Sequence, residues 1–188
     1  MAFIDIVCTS SRGGYLVSSG IGINTFAGSA PVQGRTIANL SESRQFFGFN
    51  TSGVVPVNSS IFQVEFLYSL DLNLNSPGSP DLWASDFYFG NFLDGGLHSS
   101  DWSLGTFVWT EDWASGQPEE AYLLLPPAAI PYINPTGWTD VKIADNSAWS
   151  SPTGSWSSRV ANGRCALRVY YTDTGNAVYG KGKVTWTP

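Results

Sequence analysis

One alternating stretch in the first half of the chain decides the fold: Phe62-Gln63-Val64-Glu65-Phe66-Leu67-Tyr68-Ser69-Leu70-Asp71-Leu72-Asn73-Leu74. Its even-numbered positions are all apolar, and its odd-numbered positions are polar except at Leu67. Successive side chains of a β-strand point to opposite faces of the sheet. The pattern therefore predicts a long strand with one face in a core and the other in solvent.

The same period of two recurs later in the chain. It is found at Cys165, Leu167, Val169 and Tyr171, and again at Val184 and Trp186. Shorter candidate strands lie near residues 3–8, 14–18, 35–40, 44–50, 85–92, 104–109, 121–125 and 138–144, with Gly-, Asn- and Pro-rich turns between them. About ten strands at this spacing predict an all-β protein, an antiparallel β-sandwich of jelly-roll type. Residues 1–188 form one domain in this interpretation, with an acidic, aromatic-rich insertion at about 75–120.

Composition excludes several classes of function. The chain has 188 residues, of which 43% are hydrophobic and only 13% charged, and its net charge is −6. Nucleic-acid binding requires a basic surface, so nucleic acid is not an expected partner. No run of 18 apolar residues is present, and we expect no membrane-spanning helix and no membrane partner.

Charge is unevenly distributed along the chain. Residues 65–145 carry twelve acidic residues and one basic residue, whereas residues 1–64 have a net charge of +1 and residues 146–188 of +4. Such asymmetry can steer a partner or set the register between copies of the same protein. A solvated surface with no partner is an equally good interpretation.

The two ends of the chain bear on where the protein is made. Met1–Val7 lacks a basic start and is interrupted by Asp5, so the sequence predicts synthesis in the cytoplasm without a secretion signal, unless cloning replaced one with Met1. Cys8 and Cys165 are the two cysteines. Cytoplasmic synthesis favours free buried thiols, and a disulfide between them is the alternative.

A family resemblance is carried by Arg44-Gln45-Phe46-Phe47-Gly48-Phe49-Asn50-Thr51-Ser52, then Val54-Val55-Pro56 and the alternating strand itself. These residues resemble the core of DNRLRE-type β-sandwich domains, which are similar to some carbohydrate-binding modules. In that family an Arg opens a strand that ends in Phe-Asp-Thr/Ser, and here Asn50 replaces the Asp. Gly137–Val141 and Arg164–Tyr171 lie where the later strands of such a domain are expected. The resemblance covers about half the chain and departs from the family between residues 75 and 120.

The resemblance implies a fold more than a task, because the family occurs as an added domain in extracellular enzymes and in phage and other surface structural proteins. It implies packing and hydrogen-bonding roles for Arg44 and Phe49. An Arg at the start of a strand, beside an aromatic core, is expected to hold a loop carbonyl rather than a ligand.

No catalytic set is predicted. The only histidine, His98, lies in a turn-like stretch, and no Gly-x-Ser-x-Gly motif is present. One His and two distant Cys exclude ordinary zinc sites. The acids Asp101, Glu111, Asp112, Glu119 and Glu120 include possible glycosidase pairs, but an acidic loop is the commoner explanation. We therefore predict no enzyme, no cofactor and no metal, with a structural cation near Asp71, Asn73, Asn75 and Asp81 left open.

Two groups of aromatic residues are the candidate binding sites. The first combines aromatic and acidic side chains: Trp83, Trp102, Trp109, Trp113, Asp101, Glu111 and Asp112. This mixture suits a glycan groove or a contact between subunits, or it covers an open sheet. The second group is Trp149 and Trp156, which lie in a Ser/Gly-rich segment. We predict that this segment is a flexible loop whose tryptophans dock on a neighbouring subunit or on a ligand.

Two functional classes follow from these observations. The first is a non-enzymatic virion structural protein, a phage head-decoration or tail component made in the host cytoplasm. It would bind copies of itself or other virion proteins through aromatic loops and charge complementarity. The alternative is a carbohydrate-binding module or adhesin domain that is extracellular or lies on a cell surface and binds glycans.

Overall fold

The computed structural model describes residues 2–9, 12–19, 22–27, 32–36, 41–72, 82–114, 120–145, 156–160 and 165–172. These residues form twelve strands: β1 (Ala2–Val7), β2 (Gly14–Ser19), β3 (Gly22–Ala27), β4 (Val32–Thr36), β5 (Ser41–Asn50), β6 (Ser60–Leu72), β7 (Leu82–Gly90), β8 (Thr106–Ala114), β9 (Glu120–Leu124), β10 (Trp138–Asp145), β11 (Trp156–Val160) and β12 (Ala166–Thr172). Two short 3₁₀ helices, Ser99–Ser103 and Pro127–Tyr132, lie between strands. The predicted all-β class is confirmed.

The strands build two antiparallel sheets that pack as a sandwich. The first sheet has the order β1-β12-β6-β9. The second has the order β3-β2-β5-β10-β7-β8, and β4 pairs with the start of β5 beside β10. The long β6 belongs to both sheets, because its last residues pair with β11, which in turn pairs with β4.

The core lies between the sheets and is built from alternate residues of the strands. Among residues 60–68 of β6 the buried members are Val64, Phe66 and Tyr68, as the alternation predicts. The other strands contribute Ile6, Phe47, Phe49, Phe87, Phe89, Val141, Ile143, Leu167 and Val169. Residues 82–114, the described part of the suggested insertion at about 75–120, thus provide two paired strands and part of this core.

The alternation fails at one position of β6. A β-bulge places Gln63 opposite Tyr170 and Ile61 opposite Tyr171, so Phe62 is the extra residue between the two pairs. Phe62 is 39% exposed, whereas Ile61 packs against the core. The prediction that Phe62 lies on the core side is wrong, because a bulge shifts the alternation by one residue.

Two strands were not expected from the sequence. β3 and β11 are short and have no run of alternating apolar residues, and the serines of β11 are more typical of turns. Trp156, predicted in a flexible loop, is instead the first residue of β11 and pairs with Arg35 of β4. Pairing with β4 and β6 supplies the backbone hydrogen bonds that local propensity does not predict.

Candidate functional site

Residues 91–105, called the cap below, cover the outer face of the second sheet. Leu16 and Phe46 lie on that face, and Phe92, Leu93 and Leu97 of the cap pack on them to form a second buried cluster. This cluster is separate from the core between the sheets. The cap therefore closes a sheet face that would otherwise expose apolar side chains to water.

Asp140 fastens the start of the cap. Its carboxylate is fully buried and accepts the backbone N–H groups of Phe92 and Leu93 at 2.8 and 2.9 Å. The guanidinium of Arg12 donates to both carboxylate oxygens at 3.1 Å. Gly48 pairs with Asp140 across the strands, and a Cβ at Gly48 would lie 2.6 Å from the Cγ of Arg12. Glycine is required at position 48 because Arg12 occupies that space.

Arg44 and Lys142 fasten the end of the cap. Both side chains donate to the carbonyl oxygen of Trp102, at 2.8 and 3.2 Å, and Lys142 also donates to the carbonyl of Leu104. The Arg44 guanidinium lies 4.0 Å from the centre of the Trp102 ring, and the Lys142 ammonium lies 4.1 Å from that of Tyr88. The prediction that Arg44 holds a loop carbonyl is confirmed.

Asp101 acts within the cap itself. It is 3% exposed, and it accepts the backbone N–H of His98 at 2.8 Å at the start of the 3₁₀ helix Ser99–Ser103. Burial raises the pKa of Asp101 above its ordinary value. The His98 residue is exposed. Asp101 therefore stabilises the 3₁₀ helix of the cap. The next residue is Trp102, whose ring lies under the Arg44 guanidinium.

Trp109 and Glu111 lie on the opposite side of the second sheet. The Trp109 ring stacks on Phe87 of the core, with centroids 4.1 Å apart and an angle of 18° between the planes. Its indole N–H donates to Glu111 at 3.3 Å, and burial raises the pKa of that half-buried carboxyl. The predicted aromatic and acidic set is thus divided between two faces of one sheet.

The positions of the other predicted site residues on β7 and β8 follow from the pairing of these two strands. Trp83 and Trp113 are directly opposite each other on β7 and β8, and the exposed Asp112 pairs with Ala84. Trp149 lies outside the described residues.

An open cleft of about 500 Å³ lies between the two ends of the cap. Its lining includes the polar side chains of Asn91, Asp94, Ser103 and Thr106. The next residue along β8, Phe107, is 52% exposed. The cleft thus offers hydrogen-bonding groups, and the accessible Phe107 is adjacent in sequence to its lining residue Thr106.

The outer face of the first sheet carries the second candidate surface, which the sequence does not predict. Phe3, Phe62, Tyr122 and Tyr170 lie there together with Arg168, and these five residues are called the aromatic face below. The Phe3 and Tyr170 rings are 5.6 Å apart, and the Phe62 and Tyr170 rings are 6.2 Å apart. Phe3 is 56% exposed and Tyr122 is 44% exposed.

Arg168 is the centre of the aromatic face. Its guanidinium lies 4.7 Å from the Phe3 ring centre and 4.0 Å from that of Tyr122. It donates to both carboxylate oxygens of Asp5, at 2.7 and 2.8 Å, and to the Tyr122 hydroxyl at 2.7 Å. The hydrogen bond from Arg168 holds the pKa of Asp5 below its ordinary value. Arg168 therefore fixes two rings and one carboxylate in a single arrangement.

Glu65 is held in the same way beside Arg168. Its two carboxylate oxygens accept the Gln63 amide at 2.8 Å and the Tyr170 hydroxyl at 3.1 Å. The charged groups of this face are thus hydrogen-bonded to neighbours on the face itself.

Within the described ranges, no three His, Cys, Asp or Glu side chains are close enough together to hold a metal ion. Asn73, Asn75 and Asp81, where the sequence leaves a structural cation open, lie outside those ranges. In the part of the chain that the structure describes, no helix has the length and apolar character needed to cross a membrane.

We expect Lys142 to make the stability of the protein depend on pH. Burial and the neighbouring Arg44 lower the pKa of Lys142 from 10.5 to about 8. The unfolded chain therefore binds this proton more tightly, and raising the pH from about 8 to 10.5 stabilises the folded state by up to about 3 kcal/mol. The stabilisation is greatest above pH 10.5, decreases as the pH falls from there, and is absent below about pH 8.

Urea unfolding of the wild type and of Lys142→Met, at pH values on both sides of this window, isolates the contribution of Lys142. As the pH rises, the free energy of unfolding of the wild type should increase relative to that of Lys142→Met. A difference that does not change with pH contradicts the assignment.

No protein-family model matches the chain, and a search of curated proteins finds no match to it. The resemblance to DNRLRE-type domains therefore rests on the residues of this chain alone.

Proposed function

We propose that this protein is a non-enzymatic structural protein that assembles into a larger particle, and that its aromatic face binds a second copy of the chain. One observation carries the proposal. Eight large apolar or aromatic side chains are exposed among the described residues, and five of them lie on the outer face of the first sheet: Phe3, Val7, Phe62, Tyr122 and Leu124. Apolar side chains concentrated on one face are typical of protein–protein contacts.

The charges of the face favour an identical partner. Two copies related by a twofold axis bring the same groups together, so an unbalanced patch would be repulsive. Here Arg168 neutralises Asp5, and Glu65 is hydrogen-bonded twice. The charged side chains Asp5, Glu65 and Arg168 sum to −1, and each has a hydrogen-bond partner on the face, so two copies would repel each other only weakly, although the chain as a whole has a net charge of −6.

The same hydrogen bonds disfavour a glycan on this face. Sugar recognition combines aromatic rings with free acceptors for hydroxyl groups. Both oxygens of Asp5 already accept from Arg168, and both oxygens of Glu65 accept from Gln63 and Tyr170. Aromatic rings remain available, but the acceptors are largely occupied.

The size of the face indicates a weak contact. Four strands about 4.8 Å apart and about six residues long give a face of roughly 300–400 Å². Stable complexes bury about 800 Å² per partner. We therefore expect a dimer that depends on concentration, and in a particle many such contacts would act together.

The particle that we propose is a virion, with this chain as a phage head-decoration or tail component. The resemblance carried by Arg44–Ser52 and the strand that follows supports this proposal, since that family occurs in phage structural proteins. Contacts with other virion proteins through Trp149 and Trp156 stay a prediction.

Light scattering over micromolar to millimolar concentrations tests the aromatic face. The wild-type mass should rise with concentration, and the double variant Phe3→Ser/Tyr122→Ser should shift the rise to at least tenfold higher concentration, because central aromatic residues dominate interface energies. Val57→Ser is the matched control, since Val57 is 61% exposed in the turn between β5 and β6. A wild type that stays monomeric, or a double variant that associates like the control, contradicts the proposal.

The cleft favours glycan binding as a second candidate function. Asn91, Asp94 and Ser103 present polar groups there, and the exposed Phe107 ring follows the lining residue Thr106. Retention on immobilised polysaccharides tests it: Asp94→Ala and Phe107→Ser should each reduce retention while leaving the mass in solution unchanged. If the wild type is not retained on any polysaccharide of the panel, this candidate is rejected.

A further inference from the structure

Cys8 and Cys165 lie opposite each other at the point where β1 and β12 end their pairing. The last pair in register is Val7 and Ala166, so one further step along both strands brings the two cysteines together. The backbone N–H of Cys8 donates to the carbonyl of Cys165 at 2.8 Å. The antiparallel ladder therefore continues through this pair.

Both thiols point into the same core. Ile6 lies two residues before Cys8, and Leu167 lies two residues after Cys165. These two residues pair across β1 and β12 and are buried between the sheets. Cys8 and Cys165 belong to that buried cluster, with exposures of 8% and 0%, and both are unbridged. Two cysteines on neighbouring strands thus share one face of the sheet.

The spacing of such a pair suits a covalent bridge. Residues directly opposite in an antiparallel pair have Cα atoms roughly 4.5–5.5 Å apart. Disulfides form at Cα separations of about 4.4–6.8 Å. The two backbones therefore need little movement to be joined.

We propose that Cys8 and Cys165 are a disulfide-forming site, with a small-molecule disulfide such as oxidised glutathione as the oxidant. The thiolate of one cysteine attacks the oxidant, releases one glutathione thiolate and leaves a mixed disulfide. The thiolate of the other cysteine then attacks the protein sulfur of that mixed disulfide and releases the second glutathione. The protein loses two thiol protons and two electrons, and one oxidised glutathione becomes two reduced molecules.

The surroundings of the thiols decide when the bridge forms. Burial raises the pKa of Cys8 to about 11 and that of Cys165 well above its ordinary value. Thiolates are therefore scarce in the folded protein, and exchange is slow once the core has closed. Formation accompanies folding, or it requires the end of β1 to open.

The bridge would tie the first strand of the chain to β12. β1 carries Phe3 and Asp5 of the outer face, so the bridge also holds part of the aromatic face in place. Because the ring closed by the bridge contains most of the chain, we expect the melting temperature to rise by roughly 5–15 °C.

Refolding the full chain in a glutathione redox buffer tests the site. Free thiols are then alkylated with iodoacetamide in denaturant, and the products are analysed by intact mass and by a non-reducing peptide map. We expect a monomer two hydrogens lighter than the reduced chain, without alkylation, and a peptide containing Cys8 joined to one containing Cys165. Heating the oxidised and reduced forms measures the shift in melting temperature.

Cys165→Ala, refolded in the same way, should leave Cys8 alkylated or carrying one glutathione. Folded wild-type protein that takes up two alkyl groups, or carries glutathione on both cysteines, overturns the proposal. The wild-type peptide map decides the question even if the variant does not fold.

Discussion

Asp140→Ala is expected to lower the free energy of unfolding by about 3–5 kcal/mol. The carboxylate is fully buried and satisfies four donor groups: two of Arg12 and the backbone N–H groups of Phe92 and Leu93. Alanine removes all four acceptor contacts at once. It leaves the buried backbone N–H groups of Phe92 and Leu93 without acceptors, and it leaves the Arg12 guanidinium, which is 12% exposed, with its contact to Asn91. Desolvated donors without partners are costly.

The loss should be concentrated in the cap. Hydrogen exchange of the Phe92 and Leu93 amides should become much faster in Asp140→Ala, and urea unfolding should report the loss in free energy. Asp94→Ala is the matched control, because Asp94 is an exposed carboxylate of the same cap and its removal should change stability by less than about 0.5 kcal/mol. Equal stabilities of the two variants would show that Asp140 does not hold the cap.

Phe66→Ala is expected to cost about 3–5 kcal/mol, the range for removing a buried phenylalanine ring. Phe66 is fully buried near the middle of β6, and its ring contacts three others edge to face. The centroid distances are 5.6 Å to Phe47, 6.3 Å to Phe49 and 6.0 Å to Phe87. Alanine therefore opens a cavity where the two sheets meet, and each neighbouring ring loses an aromatic contact.

Phe62→Ala on the same strand is the control for this substitution. The sequence places both rings on one alternating face, but Phe62 is 39% exposed after the bulge. Its replacement should lower the unfolding free energy by about 1–2 kcal/mol, clearly less than for Phe66, because Phe62 is already 39% exposed and its removal leaves no closed cavity. Similar losses in the two variants, measured by urea unfolding, would contradict the placement of the bulge.

Much of the fold could be predicted from local pattern. The period of two in β6 and β12 identifies strands and their buried sides, because burial of one sheet face selects apolar side chains at every second position. The pattern does not reveal the bulge at Phe62, since a bulge depends on how the neighbouring strand is paired. It also does not reveal β11, whose Ser-rich sequence has no strong preference of its own.

The candidate functional sites could be predicted from the sequence only in part. The role of Arg44 follows from its place at a strand start beside aromatic residues, and the structure confirms it. The segment from Trp83 to Trp113 is aromatic and acidic in sequence, yet Trp102 and Trp109 lie on opposite sides of the second sheet. Trp102 belongs to the cap on the outer face, whereas Trp109 of β8 packs against the core between the sheets, so residues that are close along the chain are separated in space.

By itself, the sequence determined an all-β chain with alternating strands, a low content of charge and an acidic middle. Only the tertiary structure decided that Phe3, Tyr122 and Arg168 meet on one face, and that Asp140 lies buried beneath the cap. The physical reason is that these contacts join residues far apart along the chain. Strand order and register bring them together, and local propensity contains no information about either.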